Sequence, residues 1–365
     1  MSKNKRSDAV LLVGAAAILL TCGVGLSAFP AARFSATENR HLAEFPSFSV
    51  EAVASGAYTA ALDDFATERL PFRSACRGIY AAAELVAGRG ECHGVILCRD
   101  GSLCRRLAVN EQTYARNLAA LLRLQKALGD VPLTVAVAPR RIDVRSEVLP
   151  ALYDSAREQS VWQMLPAGIV TFLDATKDSA WYRTDHHWTQ EGAYFAYVRL
   201  SRYLGYTPCT KSDFTPVTVS ENFLGTSAAA AGFSQITPDT VRVWRYAEDE
   251  SYRVLRDGKP AAFKGLYDKE KLTGTDQYSF FLGGNCGTLQ IDLGEDDARP
   301  TLLIIKDSFA NSLIPFLAHH YRILAVDPRY RTEKLSALAE RADAALVICG
   351  MQTLTEAPFF SSLLK

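Results

Sequence analysis

The chain has 365 residues, of which 48% are hydrophobic and 22% are charged. This composition can bury a sizeable core in one large domain or two smaller ones, and it excludes a disordered chain. Forty basic residues balance forty acidic ones, so the charge excludes the basic footprint of a nucleic-acid-binding protein, and a neutral or weakly charged partner is expected.

The N-terminus carries three cations, Lys3, Lys5 and Arg6, ahead of an apolar segment at residues 9–29. That segment is long enough to cross the hydrocarbon layer of a bilayer as a helix. An uncleaved signal anchor is favoured over a cleaved signal peptide, whose apolar core is usually shorter. Because cations stay on the cytoplasmic side, we expect a single-pass membrane protein with a cytoplasmic tip and anchor at 1–30 and an extracytoplasmic domain at 31–365, secreted if the segment is cleaved.

Helix and strand alternate through the first half of the exported part. Helical spacing and short apolar runs predict helices at 50–86, 110–129 and 155–168, and strands at 132–139 and 169–175. From about 207 to 300, short alternating segments between turn residues predict antiparallel strands. Strands at 301–307, 322–327 and 344–350, with helices between them, follow. We therefore predict a three-layer α/β/α domain with a central, mainly parallel sheet, interrupted by a β-rich insertion at about 207–300.

Three cysteines recur every six residues along a segment that predicts a β-hairpin turning at Asp100-Gly101. A two-residue turn would place Cys98 opposite Leu103. A three-residue loop would place Cys98 opposite Cys104 and permit a cross-strand disulfide, and the residues leave this register open. A zinc cluster of the three cysteines with His93 is disfavoured, because the tight ligand spacing of structural zinc sites is missing.

The strand at 301–307 ends at Ser308, and a helix is predicted to follow almost at once. In an open α/β sheet, ligands bind at the carboxyl ends of the strands. A serine on such a turn exposes its hydroxyl beside the first amides of the next helix, which can stabilise an oxyanion. Ser308 is therefore the candidate nucleophile, and the alternative is that it only caps its helix.

The segment TDHHWT supplies an acid and two adjacent histidines. If this segment is extended, Asp185 and His187 share one face, and His186 lies on the other. Asp185 could then fix the tautomer of His187, whose other ring nitrogen would take the proton of Ser308.

Two other interpretations of TDHHWT remain. Thr184 or Asp185 could cap a solvated helix whose histidines face water. A metal bound by Asp185 and both histidines is disfavoured because adjacent side chains diverge, so no metal and no other cofactor is expected. A second pair, His319 and His320, is predicted to lie on the surface of a helix.

These motifs resemble the DHHW family of exported proteins. The resemblance covers residues 34–350 and rests on FSATENRHLAEFP, TDHHWT, YSFFLGGN, KDSFANSLIP and VDPRY. The family is related to SGNH-hydrolase-like proteins that acetylate alginate, so the resemblance implies an SGNH-hydrolase-like fold. In those relatives an aspartate and a histidine of a T-D-x-H-W-T segment act with the serine of a later G-D-S segment. The same trio, Asp185, His187 and Ser308, is thus implied here, with Lys306 in place of the glycine.

Further site residues follow from the same resemblance. An oxyanion hole of such proteins often draws on a glycine amide and an asparagine side chain, for which Gly284 and Asn285 are the candidates; a plain β-turn is the alternative. Arg329 could reach the cleft or could pair with Asp327. We also count Trp188 and His186 as candidate substrate-binding residues.

The leading hypothesis is a serine O-acyltransferase that O-acetylates an extracellular polysaccharide or cell-wall polymer. The resemblance implies a multi-spanning membrane-bound O-acyltransferase as the partner that delivers the acyl group. An esterase with the same three residues and water as acceptor is one alternative. The other is a non-catalytic glycan-binding scaffold, in which sugars would stack on the rings of Trp181, Tyr182, Trp188 and Phe309.

Overall fold

The computed structural model describes residues 12–14, 16–17, 34–35, 40–70, 72–151, 153–233, 236–330 and 333–360. The chain divides into two compact units, Met1–Arg89 with Gly232–Ser234, and Gly90–Ala231 with Gln235–Lys365. Most of the segment 9–29 lies outside the described residues, so the membrane anchor stays a prediction. Within the described ranges, no helix combines the length and the apolarity needed to cross a bilayer.

The first unit contains a short hairpin, β1 (Phe34–Ser35) with β2 (Arg40–His41), and three helices, α1 (Val50–Ala54), α2 (Ala57–Glu68) and α3 (Arg73–Val86). The helical stretch predicted at 50–86 is therefore broken twice. Gly56 (φ 77°) and Phe72 (φ 61°) precede the second and third helices in the left-handed conformation. Such a residue cannot continue a right-handed helix, which explains both breaks.

The second unit begins with a three-stranded antiparallel sheet of β3 (Glu91–Cys92), β4 (Val95–Leu97) and β5 (Leu103–Arg105). The predicted hairpin is confirmed, but its register matches neither of the two expected ones. Leu97 pairs with Leu103, and the N–H of Cys98 donates to the carbonyl of Ser102 at 2.8 Å. Cys98 is thus opposite Ser102, and Cys98 and Cys104 keep free thiols.

A mixed eight-stranded sheet forms the centre of the second unit, in the order β11-β10-β12-β14-β13-β15-β6-β7. The five strands β14, β13, β15, β6 and β7 run parallel, whereas β12, β10 and β11 extend one edge antiparallel. Their bounds are β6 (Leu133–Ala138), β7 (Val170–Thr171), β10 (Arg253–Arg256), β11 (Lys259–Pro260), β12 (Thr288–Asp292), β13 (Thr301–Lys306), β14 (Arg322–Val326) and β15 (Ala344–Gly350). The prediction of an α/β fold with one large sheet is confirmed.

The β-rich segment at 207–300 supplies the three antiparallel strands at the edge of this sheet. It also supplies β8 (Thr215–Phe223) and β9 (Asp239–Arg245), which pair with each other outside the sheet. Within the segment predicted to form antiparallel strands, the stretch QYSFF forms a 3₁₀ turn at Gln277–Phe280 instead. That turn carries Tyr278 towards the carboxyl end of β13, as described below.

Helices cover both faces of the sheet. Leu303 and Ile305 of β13 belong to one apolar core, and Leu302 and Ile304 belong to the other. The first core includes α4 (Glu111–Ala127), α6 (Ala156–Gln163), α10 (Leu335–Ala339) and α11 (Met351–Glu356), and the second includes α7 (Gln190–Leu204) and α9 (Ile314–Leu317). Short helices α5 (Arg141–Val144) and α8 (Thr226–Ala231) complete the unit. Burial on both faces explains the unbroken apolar run TLLII in β13.

Candidate active site

Residues 182–187 form a tight loop that two tryptophans close. Trp181 and Trp188 face each other in an antiparallel bridge, and α7 begins directly afterwards with Thr189 as its cap. The cap is therefore not Thr184 or Asp185. Both of those residues lie in the loop and are buried, so the interpretation as a solvated helix terminus is wrong.

Asp185 and His187 face each other across this loop. Asp185 Oδ1 accepts a hydrogen bond from the backbone N–H of His187 at 2.9 Å and lies 2.5 Å from His187 Nδ1. An aspartate that accepts from the N–H two residues ahead closes an Asx turn. The two side chains meet as the sequence predicts, but a turn brings them together instead of an extended segment.

The second oxygen of Asp185 is also occupied. Asp185 Oδ2 accepts from the backbone N–H of Thr226 at 2.7 Å and from its hydroxyl at 3.0 Å. Burial disfavours the carboxylate, but the imidazoles of His187 and His186 and the hydrogen bonds from His187 and Thr226 hold the pKa of Asp185 well below its usual range. Asp185 is therefore ionised at neutral pH.

Gly225 allows this close packing. A Cβ at Gly225 would lie 2.2 Å from the Cβ of Asp185 and 2.4 Å from its Oδ2. The N–H of Gly225 donates to Thr184 Oγ1 at 3.0 Å, and the Thr184 hydroxyl donates in turn to Asp239 at 2.6 Å. The loop that carries Asp185 is thus pinned to the start of β9 and leaves space only for a glycine at 225.

Ser308 follows β13 and opens a 3₁₀ turn at Ser308–Ser312. Its Oγ lies 2.7 Å from Nε2 of His187. The preceding residue holds this turn in place, because Asp307 accepts from the N–H of Phe309 at 2.9 Å and from the N–H of Gly350 at 2.8 Å. Since Gly350 ends β15, Asp307 ties together the carboxyl ends of two neighbouring parallel strands.

The structure therefore brings together the three residues that the sequence singles out. With the Asp185 carboxylate on Nδ1, the proton of a neutral His187 is held at that nitrogen, and Nε2 carries a lone pair. That lone pair points at the hydroxyl of Ser308, which is half-buried at the rim of the sheet. A hydroxyl, an imidazole and a carboxylate in this series can move a proton from oxygen to nitrogen while the carboxylate stabilises the resulting imidazolium.

Tyr278 fixes the plane of the His187 ring. The two rings stack with centroids 3.8 Å apart and an angle of 6° between their planes. The Tyr278 hydroxyl donates to the carbonyl of Ser308 at 3.2 Å and lies 3.0 Å from Ser312 Oγ. Burial raises the pKa of Tyr278, so it stays a neutral donor. The motif YSFFLGGN contains this residue, but nothing in the sequence places it beside the histidine.

His186 contacts Thr226, whereas the contact with Ser308 is made by His187. Its Nδ1 lies 2.6 Å from Thr226 Oγ1. Because the Thr226 hydroxyl already donates to Asp185, it can only accept from Nδ1–H, which leaves Nε2 as an acceptor. Burial and the neighbouring His187 lower the pKa of His186 to about 3. His186 is therefore neutral and lines a small pocket together with Arg105, Arg140, Arg141, Phe309, Met351 and Gln352.

The ligand atoms of Asp185, His186 and His187 lie within 4.8 Å of one another, close enough to be considered as metal ligands. Both oxygens of Asp185, both nitrogens of His187 and Nδ1 of His186 already make the hydrogen bonds given above. A metal ion would have to break the contact between His187 and Asp185. The donor set therefore fits a proton relay better than a metal centre.

The loop with Gly284 and Asn285 has an unusual backbone. Leu282, Gly283 and Gly284 have φ values of 61°, 72° and 80°, and a Cβ on Gly284 would lie 2.5 Å from Ser279 Oγ. The guanidinium of Arg256 donates to the carbonyls of Leu282, Gly284 and Asn285. Arg256 therefore fixes the backbone of this loop by binding three of its carbonyl groups. The sequence does not reveal this role.

Two of the predicted substrate-binding residues have structural roles. Trp188 is 1% exposed, and its Nε1 donates to the carbonyl of Phe309 and to Ser312 Oγ, both at 3.0 Å. Arg329 donates two hydrogen bonds to Asp327, at 2.9 and 2.6 Å. Of the two predictions for this residue, the structure shows the pairing with Asp327. Trp181 and Tyr182 are at most 3% exposed and pack in the core. Phe309, at 4%, also lines the small pocket beside His186.

A model of the DHHW protein family matches residues 170–326, and this confirms the resemblance inferred from the motifs. The matched range contains Asp185, His187 and Ser308. No curated protein matches the chain.

Solved structures share the fold at low sequence identity. A DHHW family protein from Eubacterium siraeum is 20% identical and has a TM-score of 0.63, with 75% of this chain and 96% of that chain covered. Bacillus cereus PatB1 is 18% identical with a TM-score of 0.58, covering 73% of this chain and 98% of that one. A second structure of PatB1, with a sulfonyl adduct, is 17% identical and has a TM-score of 0.57, with 73% of this chain and 96% of that chain covered.

Proposed function

We propose that this chain is an exported serine O-acyltransferase that O-acetylates a cell-surface polysaccharide or cell-wall polymer. The observation that carries the proposal is the continuous series of contacts from Asp185 Oδ1 through His187 to Ser308 Oγ, at 2.5 and 2.7 Å. The acetyl group and the polysaccharide acceptor are supported by the resemblance of the motifs to exported proteins that acetylate alginate.

The first half of the reaction forms an acyl-enzyme. Ser308 Oγ attacks the carbonyl carbon of the acyl donor, and its proton passes to Nε2 of His187. The carbonyl oxygen becomes an oxyanion, for which the Asn285 side chain is the donor. The intermediate then collapses, and the leaving group departs with the proton from His187. Asp185 stays ionised and stabilises the imidazolium between these two transfers.

The second half transfers the acyl group. A sugar hydroxyl attacks the acyl carbon on Ser308, its proton passes to His187, and collapse of the second intermediate returns that proton to the Ser308 oxygen. The products are an O-acylated sugar and the free enzyme. If water takes the place of the sugar, the same residues carry out ester hydrolysis.

The acyl group must cross the membrane in this proposal, because cytoplasmic acyl donors do not reach an extracytoplasmic domain. A multi-spanning membrane-bound O-acyltransferase would deliver the acyl group to Ser308, and the apolar segment at 9–29 would hold the domain beside that partner. This arrangement is supported by the three cations that precede the segment.

The test uses the full chain in detergent with p-nitrophenyl acetate as donor, with and without added polysaccharide. We expect an initial burst of p-nitrophenol, acetylation of Ser308 seen by mass spectrometry, and faster turnover when acceptor is present. Ser308→Ala should lower turnover by at least about 10⁴-fold. Ser251→Ala, at an exposed serine, is the matched control and should behave as the wild type.

The other outcomes separate the alternatives. Ser308-dependent hydrolysis that does not respond to any acceptor would identify an esterase. Polymer acetylation in cells that survives Ser308→Ala would show that the chain has no catalytic serine and would favour a glycan-binding scaffold. A sulfonyl fluoride gives a second check, because it should modify Ser308 in the wild type and not in His187→Gln.

A further inference from the structure

A buried lysine precedes the serine turn and contacts one of its side chains. Lys306 ends β13 two residues before Ser308 and is 1% exposed. Its Nζ donates to Asn311 Oδ1 at 2.7 Å and to Asn285 Oδ1 at 3.2 Å. Burial lowers the pKa of Lys306, and the charge of Asp327 opposes that shift. Within the described part of the chain, the hydrogen bonds of this ammonium group go to two neutral amides and to no carboxylate.

These bonds decide which way the Asn285 amide points. Lys306 Nζ donates to both asparagines, and each asparagine turns its Oδ1 towards the lysine to accept. Asn311 Nδ2 then donates to Asn285 Oδ1 at 3.2 Å. The amide nitrogen of Asn285 is consequently left on the opposite side of its group, outside the network. Of the described bonds to Asn285 Oδ1, only that from Asn311 Nδ2 would remain without Lys306.

The network lies on the same side of the chain as the nucleophile. Ser308 and Asn311 are three residues apart in the 3₁₀ turn, and side chains with that spacing project from one face. Asn285 contacts Asn311 on that face and is itself only half-buried. Arg256 holds the carbonyl of Asn285 at 3.0 Å, so the backbone of this residue is fixed as well. Its N–H₂ group, for which the described residues supply no hydrogen-bond acceptor, can therefore face a molecule bound at Ser308.

We infer that Lys306 is a positioning residue that turns the side-chain N–H₂ of Asn285 towards the oxyanion formed when Ser308 attacks an acyl group. The inference rests on the proposed acyl transfer. As the bond between Ser308 Oγ and the acyl carbon forms, the carbonyl π electrons move onto oxygen, and that oxygen accepts from Asn285. Lys306 gives up no proton in this step. The G-D-S segment of the alginate relatives has glycine at this position, and glycine has no side chain that could orient an amide.

The first experiment is a double-mutant cycle on the full chain, with p-nitrophenyl acetate as the acyl donor. Asn285→Ala should lower kcat by about 100-fold, the loss typical of removing one oxyanion donor. Lys306→Met, which keeps the length of the side chain but removes its N–H donors, should lower kcat by about 10- to 100-fold with KM within about twofold. Because Lys306 acts through Asn285, the double variant should be no slower than Asn285→Ala alone.

Multiplication of the two losses in the double variant, or an unchanged kcat in Lys306→Met, would overturn the inference. Lys264→Met, at a lysine whose side chain is 79% exposed, is the matched control and should keep the wild-type kcat. If Lys306→Met does not fold, as judged by circular dichroism, Lys306→Gln replaces it in the cycle. This variant retains one N–H₂ group, and any loss of kcat that it causes must disappear when Asn285 is already alanine. A wild type without Ser308-dependent turnover would instead refute the proposed function itself.

Discussion

The chain contains two pairs of adjacent histidines, and they lie in different surroundings. His187 of the first pair contacts a carboxylate through Nδ1 and a serine hydroxyl through Nε2. In the second pair, His319 Nδ1 lies 3.2 Å from the hydroxyl of Tyr252, and His320 Nε2 lies 2.7 Å from the hydroxyl of Tyr197. The second pair was predicted to lie on a helix surface, and this is wrong, because tyrosine rings pack around it.

The difference shows what turns a histidine pair into a candidate site. Both pairs are at least half-buried, and both have a ring stacked on a tyrosine: His187 on Tyr278 at 3.8 Å and His320 on Tyr206 at 4.5 Å. His187 contacts the ionised Asp185, whereas the described contacts of His319 and His320 given above are to neutral tyrosine hydroxyls. A neutral phenol cannot stabilise an imidazolium as a carboxylate does, so a proton taken up at His320 would have no counter-charge among the contacts described here. Adjacent histidines occur in both places. The proposed proton transfer depends on Asp185 and Ser308, which contact the first pair.

The largest expected effect separates the two pairs directly. His187→Gln removes the proposed base and should lower kcat for p-nitrophenyl acetate by at least about 10⁴-fold. His320→Gln makes the same chemical change in the second pair and should leave kcat within about twofold, while it lowers the melting temperature by disturbing the tyrosine contacts. Steady-state kinetics and circular dichroism on both variants measure these outcomes. Comparable losses of kcat in the two variants would mean that Asp185 and Ser308 do not distinguish the pairs.

The sequence predicts the parts of the site that are local. The unbroken apolar run of β13 identifies a doubly buried strand, and Ser308 follows at its carboxyl end. The acid and base, two residues apart, are found by short-range spacing, although an Asx turn and not an extended segment brings them together. In these cases neighbouring residues along the chain decide the geometry.

The supporting contacts cannot be found in this way. Tyr278 reaches His187 because QYSFF forms a 3₁₀ turn, whereas its alternating pattern predicts a strand. Arg256 and Asp239 act on loops that are 26 and 55 residues away, so no spacing rule connects them to the site. Asp307 has a local signal, since it precedes the serine, but its bond to Gly350 at the end of β15 depends on how the strands are ordered.

A smaller expected effect tests the close packing of Gly225 against Asp185, the partner of His187. In Gly225→Ala, the new Cβ would lie 2.2 Å from the Cβ of Asp185, so the carboxylate must move away from His187. We expect a loss of about 10²-fold in kcat, because small displacements of catalytic groups are costly, and a loss of about 1 to 3 kcal/mol in the free energy of unfolding. Gly274→Ala is the control, since its Cβ would meet only the carbonyl of Lys271, at 3.6 Å. Wild-type kcat in Gly225→Ala would show that Asp185 need not stay where it is.

The smallest expected effect concerns a property that the two pairs share. Burial and the neighbouring histidine lower the pKa of His186 to about 3 and that of His319 to about 4, from an ordinary value of 6.5. Between those values and 6.5 the unfolded chain binds protons that the folded chain does not. The free energy of unfolding should therefore decrease as the pH falls below about 6.5, by about 1 kcal/mol per pH unit for each histidine.

His319→Gln isolates one of these contributions. Urea denaturation at pH 7, 6 and 5 should show that the variant loses about 1 kcal/mol less than the wild type for each pH unit, since one proton-binding group of the unfolded chain is gone. The difference between the two proteins is the quantity to compare, because other buried groups such as Asp249 also titrate in this range. The pH profile of kcat/KM should be the same in both proteins, because the substitution leaves Asp185, His187 and Ser308 unchanged. Parallel stability curves would contradict the burial of a neutral His319, and a shifted activity profile would mean that the second pair is coupled to the first.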